Sequence, residues 1–545
     1  ASGGWLPELY RAASFSVQDA SKPVLVGGAS SLPSDNLRLS LKQQAAAIQK
    51  RMEGLNPVEP TEEEQELLDR QAAQDFNIGF DSLRISPTVE WEQNTWRKRL
   101  YVASGVGGVA RLNLDEQNGL QTIQEEDLSA PISRVVKQGP GLIAASVEVT
   151  AKPPNSDQCT FNIDVAEPSD LFALNYQSGD DPVRVAPPSG LQGGALLQLN
   201  DGWLFSGGKV RGAKWANCPG WDESLGMPVD GKAGEIRGLN LFDPAQTRSY
   251  SFVANPQDMV AYGRYLVAAV GSRGVEIINR DEPEERVLLS LDQKLQATPG
   301  RGVRLRMAGN LLFVAADSGV VVVDLSEPLQ PRVISAGNQE RIEALDLFNN
   351  RLVAGSGTNG MTLLELPGAL VLDASVKQGG VLPAGEQALQ LTFNEPVTLE
   401  SLRAAGALSL VDISNGEQAL AVPTIEHLNG DGQSASRVAL RFTPTPGAQL
   451  RLRVQQARNL RGAGLWAPYQ VDFKVAPSGA TQPAIQDLDN ASFHRGAQDR
   501  VVIHGSGFSS SVKGYVNQYP VELQWVSATR LEIAPHALDL LPLSP

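Results

Sequence analysis

The stretch 310-NLLFVAADSGVVVVDLSEP-328 decides how this chain folds. Leu311 to Ala315 and Val320 to Asp324 are two short runs of aliphatic and β-branched residues, with the length and composition of strands. Gly319 between them supplies the positive φ of a tight antiparallel turn. An Asp-x-Ser-x-Pro phrase then breaks the run. Working outward, Val303 to Met307 reads as an inner strand before the pair, and Arg332 to Ser335 as a weaker outer strand after the Pro. The pattern recurs at 264-RYLVAAVGSRGVEIINRD-281, 350-NRLVAGSGTNGMTLLELP-367 and 99-RLYVASGVGGVARLNLD-115. The glycines that open the later run, Gly274, Gly319 and Gly360, lie 45 and 41 residues apart. A repeat of ~40 to 45 residues built from short strands has the period of a β-propeller blade. One such sheet cannot bury both faces, so its neighbours must stack around it.

Two further copies are interrupted. The segments 202-GWLFSGG-208 and 234-GEIRGLNLFD-243 have the relation of second and third strands across an insertion, as do 141-GLIAASVEV-149 and 170-DLFALNY-176. The opening segment 12-AASFSVQDASKPVLVGG-28 looks like a third and fourth strand without the first two. That makes seven candidate third strands. The expectation is an all-β chain with a seven-bladed propeller over residues 1–367, six blades being the alternative, and with the opening half-blade completed by the C-terminal end of the ring.

The Asp-x-Ser-x-Pro breaks resemble the LVIVD-repeat type of bacterial surface propeller over roughly residues 1–370. Residues 36–79 interrupt the β pattern. Leu41, Ala45, Ile48 and Met52 recur at helical spacing, with Gly54 as a stop, and Thr61 with Glu64 fits a capping box that opens a second helix toward Gln74. A helical hairpin is therefore expected inside the propeller, either as a cap on its rim or as a docking arm.

The period vanishes after Pro367. Residues 368–476 hold alternating strands such as 388-ALQLTF-393, 438-VALRFTP-444 and 449-QLRLRV-454, a density that suits a β-sandwich. The phrase 393-FNEPV-397, with 459-NLRGAG-464 in place of a D-x-x-G turn, resembles bacterial Ig-like domains of the surface-layer type. Residues 477–545 contain 501-VVIHGSGF-508, where Val501, Ile503, Gly505, Gly507 and Phe508 occupy the Gly-x-Gly-Phe phrase of IPT/TIG domains, another Ig-like fold that this segment resembles. Alternation places Val501 and Ile503 on one face. The Pro-containing joints at Pro367 and at Pro477 to Pro483 read as short, fairly stiff linkers.

The net charge of −15, from 46 basic and 61 acidic residues, argues against nucleic acid or an anionic membrane as partner. No stretch approaches the apolar length that spans a bilayer. The start carries no Met and no apolar signal segment, which suggests a processed piece of a longer protein. The two cysteines, Cys159 and Cys218, fall in the insertions of consecutive blades, loops that emerge side by side on one propeller face. A disulfide closing a loop of about 60 residues would contribute roughly 4 kcal/mol and would imply an oxidising compartment; two separate thiols are the alternative.

All four histidines lie beyond the propeller, which excludes His-dependent base, triad or zinc chemistry from it. Gly-x-Ser-x-Gly, P-loop and His-Glu-x-x-His signatures are absent. No catalytic residue, metal or cofactor is assigned. The acidic turns Asp180-Asp181, 429-NGDG-432 and 487-DLDN-490 match no calcium loop and read as bends. The insertion after 208 concentrates Lys209, Arg211, Trp215, Trp221, Asp222 and Glu223, which form either a binding platform for a sugar or protein partner or the packing of a pinned loop.

The expectation is thus a non-catalytic, extracellular modular scaffold from a larger bacterial surface or secreted protein, of adhesin or toxin type. Its propeller would recognise a cell-surface protein or glycan, or dock other domains of the same protein, with the Ig-like domains as spacers. The competing reading is a carbohydrate-active hydrolase or lyase, which needs two carboxylates ~5 to 9 Å apart in a concave pocket.

Overall fold

The computed structural model describes the strands Ala12–Ser16 and Val24–Ala29, the helix Asp35–Met52, parts of 59–68, and the strands and many of the turns between 85 and 533. Residues 1–11, 69–84, 152–162, 208–220, 292–303, 490–500 and 534–545 lie outside the description, as do shorter stretches between strands. The chain is predominantly β, in many small sheets with only minor helix.

Residues 85–365 form six antiparallel sheets in succession. Five have four strands, spanning 85–126, 132–185, 196–252, 258–289 and 304–336, and the sixth, 344–365, has three. Apart from the insertions, strand order follows chain order. The deciding stretch folds as read: Arg304–Ala308, Leu311–Ala316, Gly319–Asp324 and Arg332–Ala336 pair in turn. Its second and third strands are buried throughout, whereas the fourth is largely exposed. Strands covered on both faces read as continuous apolar runs, which is why the middle pair stood out.

The breaks between repeats are built features. Arg280, Leu325 and Leu366, each just past a third strand, donate their N–H to the carbonyls of Arg264, Asn310 and Asn350 at 2.8, 2.7 and 2.7 Å. Asn279 Oδ1 and Asp324 Oδ1 accept from the N–H of Asp281 and Ser326, two residues on. Such Asx turns stop a strand without leaving a buried donor unpaired. At Gly274, with φ 99°, an added Cβ would lie 2.2 Å from the Leu289 carbonyl oxygen, so the turn requires glycine.

Each consecutive pair of sheets shares a core. Tyr101, Val109, Ile132 and Leu142 join the first to the second, and Phe205, Ile236, Leu266 and Ile278 the third to the fourth. Val267 and Ile277 pack toward the fifth sheet with Leu312 and Val321, while Phe313 and Val322 pack toward Leu352 of the sixth. Opposite faces of one sheet thus serve different neighbours, each buried aliphatic contributing roughly 1.5 to 3 kcal/mol. The first strands also adjoin one another in sequence. Between them, Asp258 Oδ2 accepts from Leu305 N at 3.0 Å and Arg306 pairs with Asp346 at 3.0 Å.

Both interrupted repeats pair across their insertions, Gly141–Ser146 with Leu171–Asn175 and Trp203–Gly207 with Gly234–Asn240. The opening segment differs from expectation. Ala12–Ser16 and Val24–Ala29 pair with each other and run beside Gly119–Glu126 of the first sheet. Among the described residues no ladder joins them to the sixth sheet, which has three strands.

The capping box forms, with Thr61 N donating to Glu64 Oε2 at 3.0 Å and Glu64 N to Thr61 Oγ1 at 3.3 Å. Arg51 pairs with Glu64, and Ala45, Ile48 and Leu68 share a small core between the two helical segments. The part of the second helix expected beyond residue 68 lies outside the described residues.

Residues 369–475 form two sheets, one of four and one of five strands, around a shared core that includes Leu391, Phe393, Leu440, Leu452 and Phe473. One pairing is parallel, Gly380–Leu382 beside Phe473–Val475. The two motif phrases meet here. Buried Asn459 donates to Glu395 Oε1 at 2.9 Å while its Oδ1 accepts from Arg461 N and Ala463 N, doing the turn-closing work of an aspartate. In 429-NGDG-432, Asp431 Oδ1 accepts from Gln433 N and Ser434 N, the bend read from sequence. Ala484–Asp489, Val501–Ser506, Leu523–Ser527 and Arg530–Ile533 form a last four-stranded sheet, with Val501 and Ile503 both buried against Phe508, Leu531 and Ile533.

Candidate functional site

Of the residues singled out in the insertion, Lys209, Arg211, Trp215 and Glu223 lie outside the described residues, as do Cys159 and Cys218. Trp221 and Asp222 pair with Pro228 and Met227 in a two-stranded ladder. The first insertion likewise carries a ladder, Val149–Ala151 with Ile163–Val165. Each insertion therefore carries a short ladder of its own.

The described residues show a different site, at the junction of the fourth and fifth sheets with the two-sheet unit 369–475. Turns that join first to second strands reach across it. Gly309 N donates to the Leu372 carbonyl at 2.7 Å, and Arg264 N to that of Gln378 at 3.2 Å. Gly309 (φ 56°) could not be replaced, since a Cβ there would fall 2.2 Å from the Val371 carbonyl oxygen. Buried Asn310 donates to Asp324 Oδ1 at 2.7 Å and to the Pro468 carbonyl at 3.3 Å. Trp466 lies 5.8 Å from Phe313, ring centre to ring centre, inclined at 54°. Arg461 pairs with Glu365 at the end of the sixth sheet and with Glu395. Pro367 thus leads into a docked segment, in which Ala369 N bonds the Gly464 carbonyl and Trp466 N that of Ala369. The stiff linker expected here is a packed interface.

Beside these contacts a cleft of about 370 Å³ opens, lined on one wall by Arg264, Tyr265 and 326–330 and on the other by Gln378, Arg451 and 472–474. Asp472 is taken up by Arg451, whose Nε and Nη2 reach its two oxygens at 2.7 and 2.8 Å. That fork holds the Arg451 guanidinium above its ordinary pKa. Glu417 bridges Arg451 and Arg453 at 3.1 and 2.9 Å. Its carboxyl is held below the usual range by the hydrogen bond from Arg453. Arg264 differs: its guanidinium lies 5.6 Å from the Tyr265 ring centre, and its buried Nε meets no acceptor. The Tyr262 hydroxyl close by is also buried without a partner, and burial raises its pKa.

No family model matches the chain. No curated protein matches it either. Solved structures align weakly. The extracellular domain of a hybrid two-component system from B. thetaiotaomicron is 10% identical, covering 73% of this chain and 59% of that one, at a TM-score of 0.27. The AfRom2 CNH domain is 9% identical over 66% and 96% at 0.29, and a nidogen/laminin complex 13% over 48% and 95% at 0.27. At these scores the alignments carry no argument about fold or activity.

Sequence reasoning missed the junction because its contacts join residues far apart in the chain, 144 positions for Gln470 with Ser326 and 158 for Asn310 with Pro468. The one available signal was Trp466, a large aromatic in a Gly- and Pro-rich turn with no strand to serve.

Proposed function

We propose that this chain is a non-catalytic modular scaffold in which the six sheets of 85–365 form a propeller-like wheel and two Ig-like units, 368–476 and 477–545, extend from it. In this reading the segment 12–29 sits at the joint between the first and last sheets, which is where a ring lacking a fourth strand needs cover. The observation that carries the proposal is the junction: aromatic packing, a buried amide and backbone hydrogen bonds donated by Gly309 and Arg264 tie the fourth and fifth sheets to the unit 369–475. A rigid joint suits a protein that positions its neighbours, because a fixed geometry removes the entropic cost of ordering them on binding.

The cleft supports the same side of the choice against a glycosidase. Its Asp472 is already committed to Arg451, which leaves Glu327 without the second free carboxylate such chemistry needs. The scaffold reading keeps the Cys159–Cys218 disulfide and an extracellular setting, with a surface protein, a glycan or further domains of the same polypeptide as partner. Single-molecule energy transfer between dyes at Arg273 and Ser436 tests the joint. One narrow population is expected, and a broad or two-peaked distribution would reject the rigid scaffold. Release of reducing ends from a polysaccharide panel would instead establish the hydrolase.

A further inference from the structure

We infer that the junction cleft is a binding site for a small carboxylate-bearing ligand, with Arg264 as its anchor. Among the described residues no carboxylate pairs with the Arg264 guanidinium, and because its Nε is buried against Gly379 the terminal nitrogens are the donors a ligand in the cleft would meet. The two terminal nitrogens of a guanidinium that no protein carboxylate claims present a coplanar pair of donors, and a carboxylate is the group whose two oxygens match them.

The side chain is held for that task. Its backbone is fixed on both sides, Arg264 N donating to the Gln378 carbonyl and its own carbonyl accepting from Arg280 N at 2.8 Å. The Tyr265 ring lies beneath it. Gly379 lies above it, and a Cβ there would sit 2.9 Å from both Cδ and Nε of Arg264. The missing Cβ leaves the slot that the arginine occupies.

The remaining lining fits an acid of modest size. Asp472 and Glu417 are spent on Arg451 and Arg453, so they do not neutralise Arg264. Lys474 contributes a second, exposed ammonium on the facing wall, against one exposed carboxylate at Glu327. Pro328, Leu329 and Phe473 give an apolar flank. A volume of about 370 Å³ lies at the small end for ligand pockets. The shared chemistry is the carboxylate, which a sugar acid or an acidic amino-acid side chain could present. The site does not depend on the scaffold reading: an acid could bind there in an enzyme as well.

The test is saturation-transfer NMR and calorimetry on the full chain with D-glucuronate and with glutarate, against glucose and glutaramide as neutral counterparts. Saturable binding of at least one acid is expected at a Kd of about 1 mM or tighter, with its neutral counterpart at least ~10-fold weaker. Arg264→Gln should weaken the acid by about 10-fold or more, Arg264→Lys should fall between, and Glu327→Gln should bind at least as well as the parent. Which acid binds tells the sugar source from the peptide source. Arg264→Lys keeps the charge and decides the matter if Arg264→Gln melts early. Absence of saturable binding by either acid, equal binding of the neutral compounds, or indifference to both Arg264 changes would overturn the site.

Discussion

Replacing Trp466 by Ala probes the joint between the fifth and sixth sheets and the unit 369–475. The indole packs on Phe313 and against the core that also holds Ala308, Leu311, Leu352 and Leu370, and it is half-buried. Truncating a fully buried Trp costs about 3 to 5 kcal/mol. For a half-buried ring the expectation is about 2 kcal/mol, plus up to ~1 kcal/mol for the lost aromatic pair. The backbone bonds Gly309 N to Leu372 O and Arg264 N to Gln378 O survive the change, at about 1 kcal/mol each. The joint should therefore loosen without coming apart. Urea unfolding gives the loss, and hydrogen exchange locates it: amides of 304–324 and 369–374 should exchange faster, while 388–393 and 438–442, inside the sandwich core, should not. Trp466→Phe should recover more than half. A loss under ~0.5 kcal/mol with unchanged exchange at 304–324 would refute the claim that this ring ties the two units.

Glu276 is 1% exposed and accepts from Val253 N at 2.8 Å and from Arg286 at 3.3 Å. Glu276→Ala orphans the Val253 N–H and should cost about 1 to 3 kcal/mol, whereas Glu276→Gln keeps an acceptor and should cost less. Burial raises the Glu276 pKa, the bonds from Val253 and Arg286 only partly offsetting it. A carboxyl with a raised folded pKa favours the fold below its unfolded value, near 4.3, and that contribution is lost as pH rises through the folded value. The stability of Glu276→Gln relative to the parent should accordingly improve between pH 4 and pH 7 in melting curves. Asn459→Ala strands the N–H groups of Arg461 and Ala463 and should cost about 1 to 3 kcal/mol. Asn459→Asp keeps both acceptors but sets a second carboxylate beside Glu395, so its deficit should shrink as acid protonates one of the pair; a flat pH response would count against this geometry. Under denaturing, non-reducing conditions the purified chain should show no thiol reactive to Ellman's reagent, and two free thiols would remove the proposed Cys159–Cys218 bond.

The sheets were legible where burial on both faces made strands continuously apolar, as in Leu311–Ala316 and Gly319–Asp324. The insertions hid little, because Trp203–Gly207 and Gly234–Asn240 keep strand chemistry on either side of a long excursion. The turn phrases were legible too, since Thr61, Asn459 and Asp431 act through neighbours two to four residues away. What could not be read was register and partnership at a distance. The opening strands carry a propensity that says nothing of which sheet they join, and Ala12–Ser16 and Val24–Ala29 pair only with each other among the described residues. The cleft was illegible for the same reason. Arg264 looks like any arginine at a hairpin turn until Gly379 and Tyr265 are brought around it. The acidic and aromatic residues of the insertion drew attention by composition, which gives no geometry.

Ring closure is most directly tested by pulsed electron–electron spin resonance between labels in the segments that link the second and third strands of each sheet in the sequence. A pair at Arg273 and Asp317 reports two sheets that are consecutive in the chain, and a pair at Val106 and Thr358 reports the first and the sixth. A closed six-sheet wheel predicts unimodal distances that agree within about 5 Å, the first and last sheets being neighbours like any other two. A separation between Val106 and Thr358 near twice the reference, or a broad spread, would show an open arc and contradict the wheel.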